Sequence, residues 1–330
     1  MSETDQHPYS RLMPDTILNA LESAGYQPDG GMLTLNSYEN RVYQIGMNDG
    51  PPLVAKFYRP GRWSTPAILE EHRFSLALAE SEIPVVAPLI GENGETLHQF
   101  EGFRFTLFLR RGGRWPELEN PDNLEWIGRF MGRIHQLGAS DSFQYRASIN
   151  LDEMGRDSIR YLLKSGILPP EIESGYRRTS DQLMQLIDDA FNTMKGYRAI
   201  RLHGDCHPGN ILWTEQGPHF VDLDDCRTGP AIQDLWMLLS GERDEMALQL
   251  SYLKEGYETF YELNSRELIL IEPLRTLRMI HYAAWLARRW SDPAFPTAFP
   301  WFNTTQYWQE HLATLEQQIP ALEAPPLPLY

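Results

Sequence analysis

The chain has 330 residues, of which 42% are hydrophobic and 22% are charged, so it can bury a sizeable core and is not a disordered segment. The 29 basic and 45 acidic residues give a formal net charge of −16, which makes the chain a poor binder of nucleic acid backbones. Two cysteines, a polar N-terminus and the lack of an apolar run of roughly 18 residues predict a cytoplasmic protein without a membrane segment.

The first 110 residues predict a β-rich lobe with two helices. A turn signal at 48–52 separates two strand-like runs, and Ser64 and Pro66 mark the start of the second helix. Residues 32–58 are predicted to be β structure, with strands at 41–45 and 53–58, and an extended segment at 83–88 and a strand at 103–109 follow. The predicted helices lie at 15–24 and 67–79.

The rest of the chain is mainly helical by pattern, because apolar residues recur at helical spacing from residue 124 onward. We predict an α+β protein with two lobes, 1–110 and 111–330, joined by a glycine-containing hinge near 109–114. The predicted helices of the second lobe lie at 124–137, 173–195, 231–240, 244–262 and 271–290, and its strand signals at 199–202, 211–213 and 219–222.

The most informative segment reads HGDCHPGN at 203–210, followed by FVDLDD at 220–225. It places Asp205, Asn210 and Asp222 in loops beside short strands. Phosphoryl transfer from ATP needs oxygen ligands for Mg²⁺ and a carboxylate beside the acceptor hydroxyl, and these three residues supply them. Asn210 follows Asp205 by five positions, the spacing of the protein-kinase catalytic loop. Any one of the three could merely cap a turn, but the ordered set favours phosphoryl transfer.

A zinc site built on His203, Asp205 and His207 is an alternative, since two histidines four positions apart can chelate a metal. That spacing requires a helix, and Pro208 and Gly209 oppose one. We therefore interpret His203 as a core histidine that supports the loop through hydrogen bonds.

The N-terminal lobe offers Lys56, on a predicted strand, as a ligand for ATP phosphates. In kinases such a lysine pairs with a glutamate on the next helix, where both Glu70 and Glu71 are candidates. Helical periodicity places Glu71 between Phe74 and Leu78 on the apolar face, so we expect Glu71 to pair with Lys56.

The loop at 35–41, LNSYENR, precedes this pair of strands. It lacks the glycines of a nucleotide-covering loop. Asparagine and serine in a tight turn can still present N–H groups and a hydroxyl to phosphate oxygens.

With these motifs, the chain resembles the aminoglycoside phosphotransferase and choline kinase group of the protein-kinase-like fold. The strings LNSYENRVYQ, VAKFYRP, RLHGDCHPGNILW and FVDLDDCRTGPAIQDLWMLLSG resemble more closely the bacterial stress response kinase A family. The resemblance implies a bilobal kinase with a nucleotide-binding first lobe and a catalytic second lobe. It also implies a cytoplasmic, monomeric serine/threonine protein kinase of the stress response that uses ATP and Mg²⁺.

The resemblance also assigns roles to residues. Asp205 matches the proton acceptor. Asn210 and Asp222 match the Mg²⁺ ligands, and Asp222 is also a catalytic position in such families. Ser37 matches a position at the ATP phosphates, and Asp234 matches an aspartate that holds the catalytic loop from a helix start.

The acceptor is less well defined. Only 11 residues separate Asp222 from Asp234, which leaves no room for a long activation loop. Protein substrates, including the chain itself, are the expected acceptors. A small-molecule kinase of the choline, homoserine or aminoglycoside type is the alternative, and a regulatory nucleotide-binding module without catalysis is a third. Cys206 and Cys226 flank the predicted site residues, either as redox-sensitive thiols or as small filler side chains.

Overall fold

The computed structural model describes residues 7–329 and divides into two compact units. The first unit comprises the residues up to 117 together with 143–146 and 205–226, and the second comprises 118–142, 147–204 and 227 onward. Residues 205–226, which carry the predicted catalytic motifs, therefore group with the N-terminal strands, although the sequence places them in the C-terminal lobe.

The first unit contains a five-stranded antiparallel sheet, with strand order β1-β2-β3-β5-β4. Ile45, Ala55, Phe57, Phe105 and Leu107 form its buried face, against which the first helix packs. Each of these residues is buried because alternate positions of a strand point to the same face. The elements up to residue 109 are α1 (Pro14–Ser23), β1 (Pro28–Leu35), β2 (Arg41–Met47), β3 (Leu53–Phe57), α2 (Thr65–Glu80), β4 (His98–Phe100) and β5 (Phe103–Leu109).

Helix α2 begins where the sequence predicts. The hydroxyl of Ser64 accepts a hydrogen bond from the Ala67 N–H, and Pro66 occupies the first turn. Glu70 and Glu71 are both buried on this helix. The extended segment expected at 83–88 makes only isolated bridges, from Val85 to Phe220 and from Pro88 to Phe108.

Residues 205–226 add a short hairpin to the first unit. Its strands are β7 (Ile211–Thr214) and β8 (Gly217–Phe220), and a 3₁₀ turn flanks it on each side, at Pro208–Asn210 and Leu223–Asp225. The hairpin brings the two ends of the motif together.

The second unit is helical apart from a two-stranded ribbon, β6 (Ile200–Leu202) with β9 (Arg227–Gly229). The prediction at 231–240 was too long, because the helix there covers only Ile232–Trp236. Three helices, α4, α9 and α10, were not predicted. The helices are α3 (Pro121–Gly138), α4 (Asp157–Ser165), α5 (Pro170–Thr193), α6 (Ile232–Trp236), α7 (Arg243–Tyr257), α8 (Ile271–Arg288), α9 (Ala294–Ala298) and α10 (Thr305–Glu323).

Helices α3 and α7 approach each other through glycines. A Cβ on Gly128 would meet the carbonyl of Leu253, and a Cβ on Gly256 would meet the carbonyl of Glu125. Backbone therefore packs directly on backbone at this contact. Across residues 7–329, no helix is both long enough and apolar enough to cross a bilayer.

Candidate active site

The β7–β8 hairpin places Asn210 next to the residues that follow β8. Ile211 pairs with Phe220 at the end of the ladder, and the Val221 N–H donates to the Asn210 carbonyl at 3.0 Å. Asp222 is the next residue. The 12 positions that separate Asn210 from Asp222 in sequence are therefore closed by one local hairpin.

The side chains of Asn210 and Asp222 suit a hard divalent cation. Asn210 Nδ2 donates to the Asp205 carbonyl at 2.9 Å, which leaves its amide oxygen available as a ligand. Asp222 has a left-handed backbone (φ 59°, ψ 63°), and its side chain is 52% exposed. One carboxylate and one amide oxygen are the donor set that Mg²⁺ accepts, with water and phosphate oxygens completing the shell.

Lys56 lies beside these residues, deeply buried on β3. Its Nζ is 3.1 Å from Asp222 Oδ1, 3.4 Å from Glu71 Oε1 and 3.2 Å from Asp224 Oδ1. Burial lowers the pKa of Lys56, but Asp222, Asp224 and Glu71 outweigh it, so the pKa is raised well above its ordinary value. The ammonium group is therefore charged and held between three carboxylates.

Glu71, not Glu70, faces Lys56, as the apolar face of α2 indicates. The Tyr58 hydroxyl also donates to Glu71 Oε1, at 3.4 Å. Burial raises the pKa of Glu71 to about 7, although Lys56 and Arg146 lower it.

Sequence reasoning identified Lys56 but not Asp224 or Arg62. Asp224 is almost fully buried, and it pairs with Lys56, Arg62 and the Asn40 amide. Arg62 Nη2 also contacts Asp225, at 2.7 Å. Burial raises the pKa of Asp224, but Arg62 and Lys56 outweigh it and the pKa is lowered. The run Asp222-Leu-Asp-Asp225 was visible in the sequence, but nothing in it indicates which carboxylate turns inward.

Ser37 lies in the turn between β1 and β2 and is half-buried. In the described part of the chain it makes no hydrogen bond with the other predicted site residues. Asn40, in the same turn, does reach the site: its Nδ2 donates to Asp224 Oδ2 at 3.1 Å, and its Oδ1 accepts from the Arg59 N–H at 3.1 Å.

Asp234 lies in the second unit, near the start of α6. Its carboxylate accepts the N–H groups of His203 and Gly204, both at 2.8 Å, and contacts His135 Nε2 at 3.1 Å. Burial raises the pKa of Asp234, but the hydrogen bond with His135, electrostatic interactions with the neighbouring histidines and the Gly204 N–H outweigh it, so the pKa is lowered. Asp234 thus fixes the backbone immediately before Asp205.

The other sequence hypotheses concern histidines and cysteines. Among residues 7–329, no group of three or more His, Cys, Asp or Glu side chains is arranged to hold a metal, so nothing supports the zinc alternative. Cys206 and Cys226 are both buried, and neither forms a disulfide. Burial raises the pKa of the Cys226 thiol to about 12, which opposes thiolate reactivity.

The sequence was compared with protein-family models and with curated proteins. The model of the phosphotransferase enzyme family matches residues 33–268. Stress response kinase A of Escherichia coli K12 is 45% identical over 321 residues, which cover 97% of both chains. Serine/threonine protein kinase RdoA of Salmonella typhimurium shows the same identity and coverage.

Solved structures show the same fold at lower identity. An amicoumacin kinase in complex with AMP-PNP and Ca²⁺ superposes with a TM-score of 0.72 at 19% identity, over 96% of each chain. A microcompartment-associated aminopropanol kinase gives 0.71 at 18% identity, over 96% of this chain and 100% of its own. The expected α+β, protein-kinase-like fold class is therefore confirmed. The chain is a kinase that belongs to the phosphotransferase enzyme family and, within it, to the stress response kinase A family.

Proposed function

We propose that this kinase transfers the γ-phosphoryl group of Mg²⁺-ATP to serine or threonine hydroxyls of proteins, with its own chain as a candidate acceptor. The observation that carries the proposal is the contact of Lys56 Nζ with Asp222 Oδ1 at 3.1 Å, at the end of the hairpin where the Val221 N–H donates to the Asn210 carbonyl. A cation beside a carboxylate that can ligate a metal suits a metal-bound triphosphate, and this supports the proposal. The relative named as a serine/threonine protein kinase supports the acceptor class.

Each residue has a distinct role in this proposal. Asp205 orients the acceptor hydroxyl and accepts its proton. Asn210 and Asp222 would hold Mg²⁺, which when bound neutralises charge on the phosphates. Lys56 binds phosphate oxygens, and Glu71 positions Lys56. Ser37 contributes a hydroxyl to the phosphates from its turn.

A labelling experiment tests this proposal. Purified protein with Mg²⁺-ATP labelled on the γ-phosphate should label a generic protein substrate or itself, and Asp205→Asn should lower the rate by about 10²–10⁴-fold. Glu215→Gln is the matched control, since Glu215 is an exposed carboxylate in the turn between β7 and β8. Equal labelling by Asp205→Asn and the wild type would refute the role of Asp205.

A small-molecule acceptor is the second candidate. The short segment between Asp222 and Asp234 favours it, because no long activation loop is available as a platform for a peptide. ADP release that rises with choline, homoserine or an aminoglycoside, without label on protein, would select this alternative.

We also propose a cytoplasmic setting and a single chain as the active unit. The two buried cysteines form no disulfide, which supports a reducing compartment. Light scattering of active protein tests the second point, because a dimer at assay concentration would contradict it.

A further inference from the structure

Glu70 is a buried carboxylate that the proposed mechanism does not use. It accepts the backbone N–H groups of Gln144, Tyr145 and Arg146, at 2.7, 2.7 and 2.9 Å. Charge-assisted bonds of this kind are about twice as strong as neutral ones. Three of them, converging on one side chain of α2, fix the conformation of the segment 143–146.

This segment belongs to the first unit, although the residues on either side of it belong to the second. Phe143 strengthens its attachment to α2, since its ring packs edge-on against Phe74 at 5.5 Å between centroids. Helix α2 thus holds the segment at two points, through Glu70 and through Phe74.

The segment delivers the side chain of Arg146 to the candidate site. Arg146 is 5% exposed, and its guanidinium carbon lies over the Trp63 ring, 3.9 Å from the centroid. Its Nε donates to the Cys226 carbonyl at 2.9 Å, and its Nη2 donates to the Asp224 carbonyl. Arg146 therefore fixes the backbone of the loop that begins at Asp222.

The same guanidinium also reaches the glutamate that holds Lys56. Arg146 Nη1 is 3.8 Å from Glu71 Oε2, and in the described chain neither of these buried atoms has a hydrogen-bond partner. Arg146 is thus a second cation for Glu71, at the carboxylate oxygen that Lys56 does not contact.

We propose that Arg146, held in place by Glu70, is a positioning residue for phosphoryl transfer that sets Asp222 through the loop backbone and Lys56 through Glu71. The inference rests on the proposed function, because it assumes that Asp222 and Lys56 act on Mg²⁺-ATP. It assigns Glu70 the task of orienting Arg146 by fixing the backbone from which that side chain extends.

The test compares Arg146→Lys, Arg146→Gln, Glu70→Gln and the double variant Glu70→Gln/Arg146→Gln with the wild type. It measures ADP release, a signal that is the same whichever acceptor is phosphorylated, together with the KM for ATP and the melting temperature. Lysine keeps the charge but cannot bridge two carbonyls, so both Arg146 variants should lose about 10–100-fold in kcat, the usual effect of removing an outer-shell partner. Because Glu70 acts through Arg146, the double variant should be no slower than Arg146→Gln alone.

Arg104→Gln is the control for mere stability. Arg104 donates to the Trp63 carbonyl and to the Thr65 hydroxyl at the start of α2, without contacting Lys56, Glu71 or the 222–226 loop. We expect it to lower the melting temperature and leave kcat unchanged.

The possible outcomes are distinct. If both Arg146 variants kept the wild-type kcat and showed only a fall in melting temperature like that of Arg104→Gln, the positioning role of Arg146 would be overturned. Multiplicative losses in the double variant would overturn the dependence on Glu70. Failure of the wild type to release ADP with any acceptor would instead defeat the proposed function.

Discussion

The two units each bury an aspartate, and they stabilise it in different ways. In the first unit, Asp224 is held by side chains that are themselves charged, Lys56 and Arg62. In the second unit, Asp234 is held by two backbone N–H groups and a histidine ring. Removing a carboxylate that lies among buried cations leaves those cations without a counter-charge, so the loss destabilises several side chains. Removing one that is held by backbone donors disturbs mainly the chain segment that supplies those N–H groups.

The packing of each unit follows the same division. Charged side chains fill the centre of the candidate site, and the α3–α7 contact of the second unit brings glycines against backbone carbonyls. Substitutions should therefore propagate through charge in the first unit and through close steric contact in the second. Substitutions of the buried aspartates test propagation through charge, and substitution of an interface glycine tests propagation through steric contact.

The largest effect on stability is expected for Asp224→Ala. Removing this carboxylate leaves Arg62 and Lys56 buried with less compensation, which should lower the free energy of unfolding by about 3–5 kcal/mol. Asp225→Ala is the matched control: Asp225 also pairs with Arg62 but is about one-third exposed, so its loss should cost less than about 1 kcal/mol. Urea unfolding measures both, and equal losses would contradict a buried network centred on Asp224.

Asp234→Asn tests the backbone-anchored aspartate. Asparagine can accept only one of the two N–H groups well, so we expect a loss of about 1–3 kcal/mol in unfolding free energy. The rate of phosphoryl transfer should also fall, because Gly204 directly precedes Asp205. Asp141→Asn, at an exposed partner of Arg201, should change stability by less than about 0.5 kcal/mol. If Asp234→Asn behaved like this control, the anchor would not be needed.

The site illustrates what a sequence can and cannot predict. Asn210 and Asp222 meet because a local hairpin joins them, and Glu71 faces Lys56 because a helix repeats every 3.6 residues. Both rules act over short distances. Strands β2, β3 and β5 and helices α3, α5 and α8 were predicted for the same reason.

The rest of the site depends on contacts between distant parts of the chain. Arg62 meets Asp224 across 162 residues, and Arg146 meets the Asp224 carbonyl across 78. No periodicity spans such distances. The left-handed backbone at Asp222 could not be predicted from the sequence either, because non-glycine residues rarely adopt a positive φ.

Gly256→Ala tests the steric contact in the second unit. Alanine normally stabilises a helix by roughly 1 kcal/mol relative to glycine, but here its Cβ would meet the Glu125 carbonyl, so we expect a net loss of about 1–3 kcal/mol. Gly175→Ala on α5 is the control, since its Cβ would meet only side-chain ends, a Leu312 methyl group at 3.1 Å and Arg178 Nη2 at 4.0 Å, and no backbone. It should be neutral or slightly stabilising in thermal unfolding. A stabilised Gly256→Ala would show that α3 and α7 can separate at no cost.

An effect that is smallest near neutral pH and grows with acid concerns two buried histidines, one in each unit. Burial lowers the pKa of His72 to about 3, and its ring bonds to the Tyr58 and Thr96 hydroxyls. Burial also lowers the pKa of His311 to about 4, where the ring stacks on Tyr176 and Tyr307. Both are neutral in the folded protein at neutral pH.

These lowered pKa values determine whether the stability of the fold rises or falls as the pH is lowered. As pH falls below about 6.5, the unfolded chain binds protons that the folded chain does not, so stability declines toward pH 4 by up to about 1.4 kcal/mol per pH unit for each histidine. His311→Phe keeps a stacked ring and removes the proton uptake, so it should flatten this slope without loss at pH 7. His72→Phe should flatten it equally but lose stability at pH 7, because two hydroxyls lose their partner. Urea unfolding between about pH 7 and 5 separates the two, and an unchanged slope in His311→Phe would mean that its ring is already protonated in the fold.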